Sequence, residues 1–300
     1  MRVLITGATG LVGSAIVKLC HTKAIDVNYL TTSKSKLSNE DNYKGFYWNP
    51  NENEIDTNCV KDVDAIIHLV GASISKRWTK KHKQAIMDSR LKTTALLHET
   101  VKNNPNNITQ IVSASAVGFY PDSLTNYYTE DQTQVSSSFL GQVVESWERV
   151  VDAFTTLNIS VSKVRIGLVF SEKGGAFPKI IQPIKYGAGA PLGTGEQWMS
   201  WIHLDDLARL FLHVIEKNLE GVYNGVSPNP VTNKELTKAA ATKLNMPLFL
   251  PNVPQFALKL VLGEMHIILF ESQRVSSKKI ENTGFFFEYV TLDKALEELL

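Results

Sequence analysis

Residues 2–13, Arg2-Val3-Leu4-Ile5-Thr6-Gly7-Ala8-Thr9-Gly10-Leu11-Val12-Gly13, join an apolar run to three glycines at G-x-x-G-x-x-G spacing. A continuous apolar run is typical of a buried parallel strand, and the residues after Gly13 follow a helical pattern. In such a turn Gly7 allows the chain to leave the strand, Gly10 lets a pyrophosphate approach, and Gly13 packs the helix on the sheet. The helix N-terminus offers free N–H groups to phosphate. The stretch therefore predicts a dinucleotide-binding loop.

Composition limits the partners of this 300-residue chain, which carries 31 Lys and Arg against 30 Asp and Glu, a net charge of +1. This balance gives no electrostatic reason to expect nucleic acid or a membrane as a partner. The two cysteines and the scattered histidines do not form the pattern of a disulfide framework or a metal site. There is neither a signal-peptide pattern nor an apolar run of ~20 residues. We expect a cytoplasmic protein without a metal ion.

Strand-like and helix-like segments alternate through the first 225 residues. Six further strands are expected at 24–31, 45–48, 64–70, 108–113, 159–166 and 222–225, and long helices at 80–103 and 137–157. This alternation predicts an α/β fold, a Rossmann-type doubly wound parallel sheet covered by helices. Ligands of such sheets bind at the carboxyl ends of the strands.

The chain changes character after about residue 170, where glycines and prolines separate shorter segments. We expect residues 1–225 to form the cofactor-binding domain, with 170–205 contributing to the substrate side, and 226–300 to form a small C-terminal α/β lobe interleaved with it. A capping-box pattern at Thr232-Asn233-Lys234-Glu235 predicts a helix to about Leu244. The tail, 284–300, ends in a small amphipathic helix.

The end of the second strand indicates the cofactor. Dinucleotide folds that prefer NAD usually place Asp or Glu there, against the adenosine ribose. Here the strand ends Thr31-Thr32-Ser33-Lys34-Ser35-Lys36, and no carboxylate occurs between Asp26 and Glu40. Hydroxyls and two lysines suit a 2′-phosphate, so NADP(H) is favoured over NAD(H). The alternative is that both lysines belong to a solvated loop.

Cofactor-binding residues are expected where the first, second, fourth and fifth strands end. They are Thr6, Gly7, Thr9, Gly10, Leu11, Val12, Gly13, Thr32, Ser33, Lys34, Leu69, Gly71, Ala72 and Ser113.

Several segments resemble one known family. The opening glycine stretch, His68-Leu69-Val70-Gly71-Ala72 and Ser113-Ala114-Ser115-Ala116-Val117-Gly118 look like the extended short-chain dehydrogenase/reductase superfamily. Residues 193–206, GTGEQWMSWIHLDD, are similar to its atypical "epimerase family protein" group, within the NAD(P)-dependent epimerase/dehydratase family. The C-terminal segments resemble the DUF1731 region of that group. The resemblance covers essentially the whole chain and implies an NADP(H)-binding Rossmann domain with a small C-terminal domain.

Enzymes of this superfamily use Ser, Tyr and Lys, the last two at four-residue spacing on one helix. Ser115 fits the serine position, with Ser113 as the fallback. The Tyr and Lys positions fall on Leu140 and Val144, which cannot transfer a proton. Tyr120, after the fifth strand, is the best candidate for a surrogate acid, although it could equally serve only packing. We therefore expect Ser115 and Tyr120 as the catalytic set.

Other polar residues have structural alternatives. His203 and Asp205 are expected to cap the following helix, and Trp198 and Trp201 could line a ligand wall or pack in the core. Two functions stay open: an oxidoreductase or epimerase acting on an unknown small molecule, and a non-catalytic NADP(H)-binding redox sensor or interaction protein. An adaptor with a vestigial glycine loop ranks last. Members of the superfamily that the chain resembles often dimerise through a helix pair that includes the 137–157 helix, so the resemblance allows a homodimer, for which the sequence itself gives no evidence either way.

Overall fold

The computed structural model describes all residues, 1–300, in fifteen strands and nine helices. The strands are β1 Arg2–Thr6, β2 Asp26–Thr31, β3 Asn39–Glu40, β4 Tyr43–Asn49, β5 Glu54–Ile55, β6 Ala65–His68, β7 Gln110–Ala116, β8 Tyr127–Tyr128, β9 Ser160–Ile166, β10 Leu168–Phe170, β11 Trp198–Met199, β12 Trp201–His203, β13 Gly221–Gly225, β14 Val231–Thr232 and β15 Arg274–Val275. The helices are α1 Leu11–Thr22, α2 Lys80–Asn103, α3 Phe139–Val151, α4 Phe177–Lys185, α5 Leu204–Glu216, α6 Asn233–Lys243, α7 Gln255–Leu262, α8 Lys278–Glu281 and α9 Leu292–Leu299.

The central sheet confirms the predicted fold class. Seven parallel strands lie in the order β13-β9-β7-β6-β1-β2-β4, and the short β3 and β5 pair antiparallel with β4. The direction of the strand order reverses between β1 and β6. Parallel α/β sheets open a ligand crevice at this point, beyond the carboxyl ends of the strands. The glycine stretch leaves β1 at that crevice.

The long helix predicted at 137–157 is shorter in the structure. Ser138 caps its start, its hydroxyl accepting a hydrogen bond from the Gly141 N–H at 3.2 Å, so α3 begins at Phe139. From Asp152 the chain tightens into a 3₁₀ turn, which ends at Asn158 in the left-handed conformation, φ +58°. The apolar periodicity runs on to the buried Phe154, which is why the sequence pattern did not mark this change.

Of the four clusters of buried hydrophobic residues, two are much larger than the others, with 41 and 12 members. The larger surrounds the central sheet. The smaller combines residues from the 170–205 stretch, such as Phe177 and Trp201, with residues of the C-terminal segment, such as Leu236 and Leu296. The predicted capping box at α6 is confirmed, with Thr232 and Glu235 bonding reciprocally. None of the helices is both long and apolar enough to span a bilayer.

The C-terminal segment is also tied to the sheet side through α5. Asp206 is fully buried, and its carboxylate accepts the N–H groups of Glu288 and Tyr289, each at 2.9 Å. His203 caps the helix as expected, its Nδ1 accepting from the Asp205 N–H at 3.2 Å. These bonds fix the C-terminal segment against the end of the sheet.

Candidate cofactor and substrate site

The loop between β1 and α1 has the geometry of a phosphate cradle. Gly7 has φ +74°, which favours glycine. A Cβ at Gly13 would lie 2.2 Å from the Gly7 carbonyl oxygen, so only glycine allows α1 to pack this closely. Gly10 is the N-cap of α1 and contributes no side-chain cap. The first-turn N–H groups of the helix therefore remain free for an anion, as a pyrophosphate requires.

Thr6 has a different role from the expected one. Its side chain is fully buried, and its hydroxyl oxygen lies 2.9 Å from His68 Nδ1 and accepts the Leu69 N–H at 3.0 Å. Burial lowers the pKa of His68 to about 4, so this imidazole is neutral at pH 7. The Thr6 hydroxyl is thus occupied by the protein. It holds the start of the loop after β6 beside the glycine loop instead of contacting a cofactor.

The loop after β6 contains Leu69, Gly71 and Ala72 and has a guanidinium behind it. A Cβ on Gly71 would lie 2.8 Å from Arg90 Cζ, and Arg90 Nη1 donates to the Ile86 and Ala72 carbonyls at 3.0 and 3.4 Å. Arg90 forms no ion pair, and burial lowers its pKa to about 10, which leaves it charged at pH 7. The sequence analysis missed this cation, because nothing local to α2 indicates which residue reaches the loop.

The corner after β2 is open to solvent and has no carboxylate. Thr32 and Lys34 are exposed and Ser33 is half-buried. The Ser33 and Ser35 hydroxyl oxygens are 2.9 Å apart, and Lys34 Nζ lies 4.8 Å from the centre of the Tyr47 ring. This corner presents hydroxyl groups and a cation at the carboxyl end of β2.

The hydroxyls of Ser115 and Ser113 are both turned into the protein. Ser115 is 3% exposed and its hydroxyl donates to Glu148 Oε1 at 2.5 Å. Arg165 Nε and Nη2 donate to the two oxygens of the same carboxylate at 2.8 and 2.9 Å. Ser113, fully buried, donates to the Ala114 carbonyl at 2.9 Å. Ser115 therefore belongs to a buried Ser–Glu–Arg cluster.

Tyr120 does not have the surroundings of a surrogate acid. It is 0% exposed, stacks on Tyr128, and donates its hydroxyl proton to Asn224 Oδ1 at 2.6 Å. Burial raises its pKa to about 12. The structure therefore corrects the expectation: Tyr120 packs in the core beside β13, where no substrate reaches its hydroxyl. Leu140 and Val144 provide no replacement, since both are aliphatic.

The two tryptophans of the 193–206 stretch also have structural roles. Trp201 is fully buried, stacks on Phe170, and donates from Nε1 to the Asn229 carbonyl at 2.9 Å. Trp198 donates to the Leu124 carbonyl at 3.0 Å and lies beneath the Arg274 guanidinium. Neither ring lines the cavities described next.

Two cavities lie beside the carboxyl edge of the sheet. One, of about 510 Å³, is mostly apolar and lies between α4 and the 253–271 segment. The other, of about 900 Å³, is an open polar cleft beside Ser136, Ser137 and Ser138. Gln197 and Glu271 line both. Nowhere do three His, Cys, Asp or Glu side chains come together as a metal site would need.

Glu271 is a carboxylate that the sequence analysis did not single out. It borders both cavities and forms no ion pair, and burial raises its pKa above the ordinary value. Ser138 and Gln273 are the side chains whose hydrogen bonding partly offsets this effect. No local pattern in the C-terminal segment indicates that residue 271 reaches the end of the sheet near α3.

The fold, the glycine cradle and the crevice define a dinucleotide-binding protein of the Rossmann class. The model of the NAD dependent epimerase/dehydratase family matches residues 3–225, and a second model, the domain of unknown function DUF1731, matches 253–299. The chain thus belongs to the NAD-dependent epimerase/dehydratase family, as its sequence motifs predicted.

Relatives and solved structures agree with this assignment. The epimerase family protein SSP1921 of Staphylococcus saprophyticus is 38% identical, covering 99% of this chain and 98% of that protein. The crystal structure of human epimerase family protein SDR39U1 (isoform 2) with NADPH superposes with a TM-score of 0.86 at 29% identity, covering 100% and 99%. A nucleoside-diphosphate sugar epimerase from Corynebacterium glutamicum gives a TM-score of 0.78 at 28% identity, covering 99% and 57%.

Proposed function

We propose that this protein binds NADP(H) in preference to NAD(H) and uses it in an oxidoreductase or epimerase reaction on a small molecule. The observation that carries the preference is the corner after β2, where Thr32, Ser33 and Lys34 stand in place of a carboxylate. A ribose 2′-phosphate is a dianion that hydroxyls and a lysine stabilise and that a carboxylate would repel. The human relative SDR39U1, crystallised with NADPH, supports the same choice.

Different residues of the chain would bind the pyrophosphate and the nicotinamide parts of the cofactor. The N–H groups at the start of α1 face the pyrophosphate across Gly10, and the unpaired Arg90 adds a positive charge behind Gly71 and Ala72. The nicotinamide end would lie toward the carboxyl end of β7 and the start of α3, beside the partly exposed Leu140. When bound, the cofactor supplies hydride transfer at the nicotinamide ring.

A second candidate, an NADP(H) sensor without turnover, is favoured by a specific observation. The two helix positions that should carry Tyr and Lys hold Leu140 and Val144, and the hydroxyls of Ser115 and Tyr120 are occupied inside the protein. Such a protein would respond to the NADPH level by changing its contacts.

One experiment separates the two functions. NADPH is first titrated into the protein and its binding followed by nicotinamide fluorescence. The loaded protein is then mixed with a panel of aldehydes, ketones and nucleotide sugars. Loss of NADPH absorbance at 1:1 stoichiometry with a reduced product supports the enzyme. An epimerase regenerates its cofactor, so conversion of a nucleotide sugar into its epimer, detected by chromatography without net loss of NADPH, supports an epimerase. Tight NADPH binding with neither NADPH consumption nor epimer formation across the panel supports the sensor, and absence of NADPH binding would overturn the whole proposal.

A further inference from the structure

The apolar cavity has the size and composition of a small-molecule site. Its volume is about 510 Å³, and 14 of its 22 lining residues are hydrophobic. Ligand pockets typically enclose ~300–1,000 Å³ and combine apolar walls with a few polar groups. The walls come from α4 on one side and from α7 and the turn after it on the other, among them Ile180, Leu258, Leu262 and Ile268.

The cavity adjoins the cofactor loops. Ala176 lines it, and the preceding Gly175 lies against the glycine loop, since a Cβ there would be 3.2 Å from Leu11 Cδ2. Ser75, a few residues beyond Gly71, lines it as well. A molecule in the cavity would therefore share two walls with a bound dinucleotide.

The polar groups of the cavity are largely occupied. Asn233 Oδ1 accepts the Leu192 N–H at 2.8 Å, and Gln197 Nε2 donates to the Leu192 and Leu269 carbonyls at 3.2 and 3.0 Å. The Thr237 hydroxyl donates to the Asn233 carbonyl at 2.8 Å. The other polar side chains of the cavity are Ser75, Lys179 and Glu271, and Glu271 also hydrogen-bonds with Ser138 and Gln273.

Charge argues against a nucleotide sugar. Lys179, which is exposed, is the one cationic side chain that lines the apolar cavity, and no Lys or Arg lines the polar cleft, where the charged residues are Asp122 and Glu271. A nucleoside diphosphate carries two phosphates, which proteins bind with arginines, lysines or clustered N–H groups. Burying such a charge without partners is strongly unfavourable, more so than burying a neutral polar group.

We propose that this cavity binds an uncharged, largely hydrophobic molecule whose one oxygen-bearing group lies against Glu271, and that it does not bind a nucleoside-diphosphate sugar. The inference rests on the proposed function, because it names the substrate class of that site. Burial raises the pKa of Glu271 above its ordinary value, and its carboxyl can hydrogen-bond a hydroxyl group in either form, accepting when ionised and donating when protonated.

The test uses the NADPH-loaded full chain and the uncharged fluorophore N-phenyl-1-naphthylamine. Two variants alter the cavity: Ala190→Trp fills it, and Leu258→Gln places an amide in its apolar wall. Leu260→Gln is the matched control, because Leu260 lies on the same helix, is 78% exposed and does not line the cavity. We expect Ala190→Trp and Leu258→Gln to weaken probe binding at least about tenfold, and Leu260→Gln to leave it unchanged.

UDP-glucose is titrated into the same complex by calorimetry, and no binding heat is expected. Micromolar UDP-glucose binding would overturn the proposal. So would probe binding that survives both cavity variants, or that the Leu260→Gln control weakens equally. NADPH affinity is measured for every variant and also reports folding. If the wild-type protein does not bind NADPH, but the two cavity variants still bind the probe more weakly than wild type, the proposed function fails and the cavity assignment stands.

Discussion

Replacing Gly13 with alanine tests the cradle directly. The new Cβ would lie 2.2 Å from the Gly7 carbonyl oxygen and 2.7 Å from Ala8 Cα. Both are backbone atoms, so no side chain can move aside and α1 must shift away from β1. Overpacking of this kind lowers the free energy of unfolding by about 1–3 kcal/mol. Because no flexible side chain can move aside, we expect the loss for Gly13→Ala to lie near the upper end of this range.

The substitution should lower both the thermal stability of the protein and its affinity for NADPH. A loss of about 2–3 kcal/mol corresponds to a fall of roughly 4–12 °C in Tm for a large domain. The N–H groups of α1 would move with the helix, so we expect the Kd for NADPH, measured by fluorescence at 20–25 °C, to rise at least about tenfold. Lys18→Ala is the control, because Lys18 is exposed and lies on the same helix outside the glycine loop. A Gly13→Ala protein with unchanged Tm and NADPH affinity would show that α1 does not have to shift.

Three other predictions follow from the site. Thr32→Asp should weaken NADPH binding at least about tenfold and leave NADH binding unchanged, because a carboxylate repels the 2′-phosphate. Thr109→Asp is the control, because Thr109 is exposed and lies just before β7, at the amino ends of the strands. It should change neither affinity. Arg165→Met should cost about 3–5 kcal/mol in urea unfolding because it strands the buried Glu148 carboxylate, and adding Glu148→Leu should recover most of the loss; an equally unstable double variant would contradict this. Burial raises the pKa of Glu271 in the folded state. The protein therefore loses stability as the pH rises from the pKa of an unfolded Glu, about 4.3, through the higher pKa of Glu271 in the folded protein. Glu271→Gln should therefore raise Tm at pH 7 and leave it unchanged near pH 4, and equal effects at both pH values would count against the assignment.

Most of the fold could be predicted from the sequence because its signals are local. Strands such as β1 and β6 are short apolar runs, and the glycines after β1 have their spacing fixed by backbone contacts such as that between Gly13 and Gly7. The third strand was predicted too short. In the structure this strand is β4, which pairs with β2 from Tyr43 onward. The residues before Gly45 are not an apolar run, so the sequence pattern did not indicate this extension.

The site was only partly predictable because side-chain partners come from distant segments. The sequence placed Ser115 and Tyr120 near the correct edge of the sheet, yet it could not show that Glu148 and Asn224 occupy their hydroxyls. Glu271 lines the two cavities from the C-terminal segment, far along the chain from Ser138 and Gln197, which line the polar cleft with it. Such contacts depend on tertiary packing, which periodicity and motif spacing do not report.

NADP(H) is the dinucleotide that we propose this Rossmann protein binds in preference to NAD(H). The most direct measurement is the Kd of the wild-type protein for NADPH and for NADH, each followed by nicotinamide fluorescence in the same low-salt buffer. The corner formed by Thr32, Ser33 and Lys34 predicts that NADPH binds at least about tenfold more tightly. Equal affinities, or tighter binding of NADH, would contradict it.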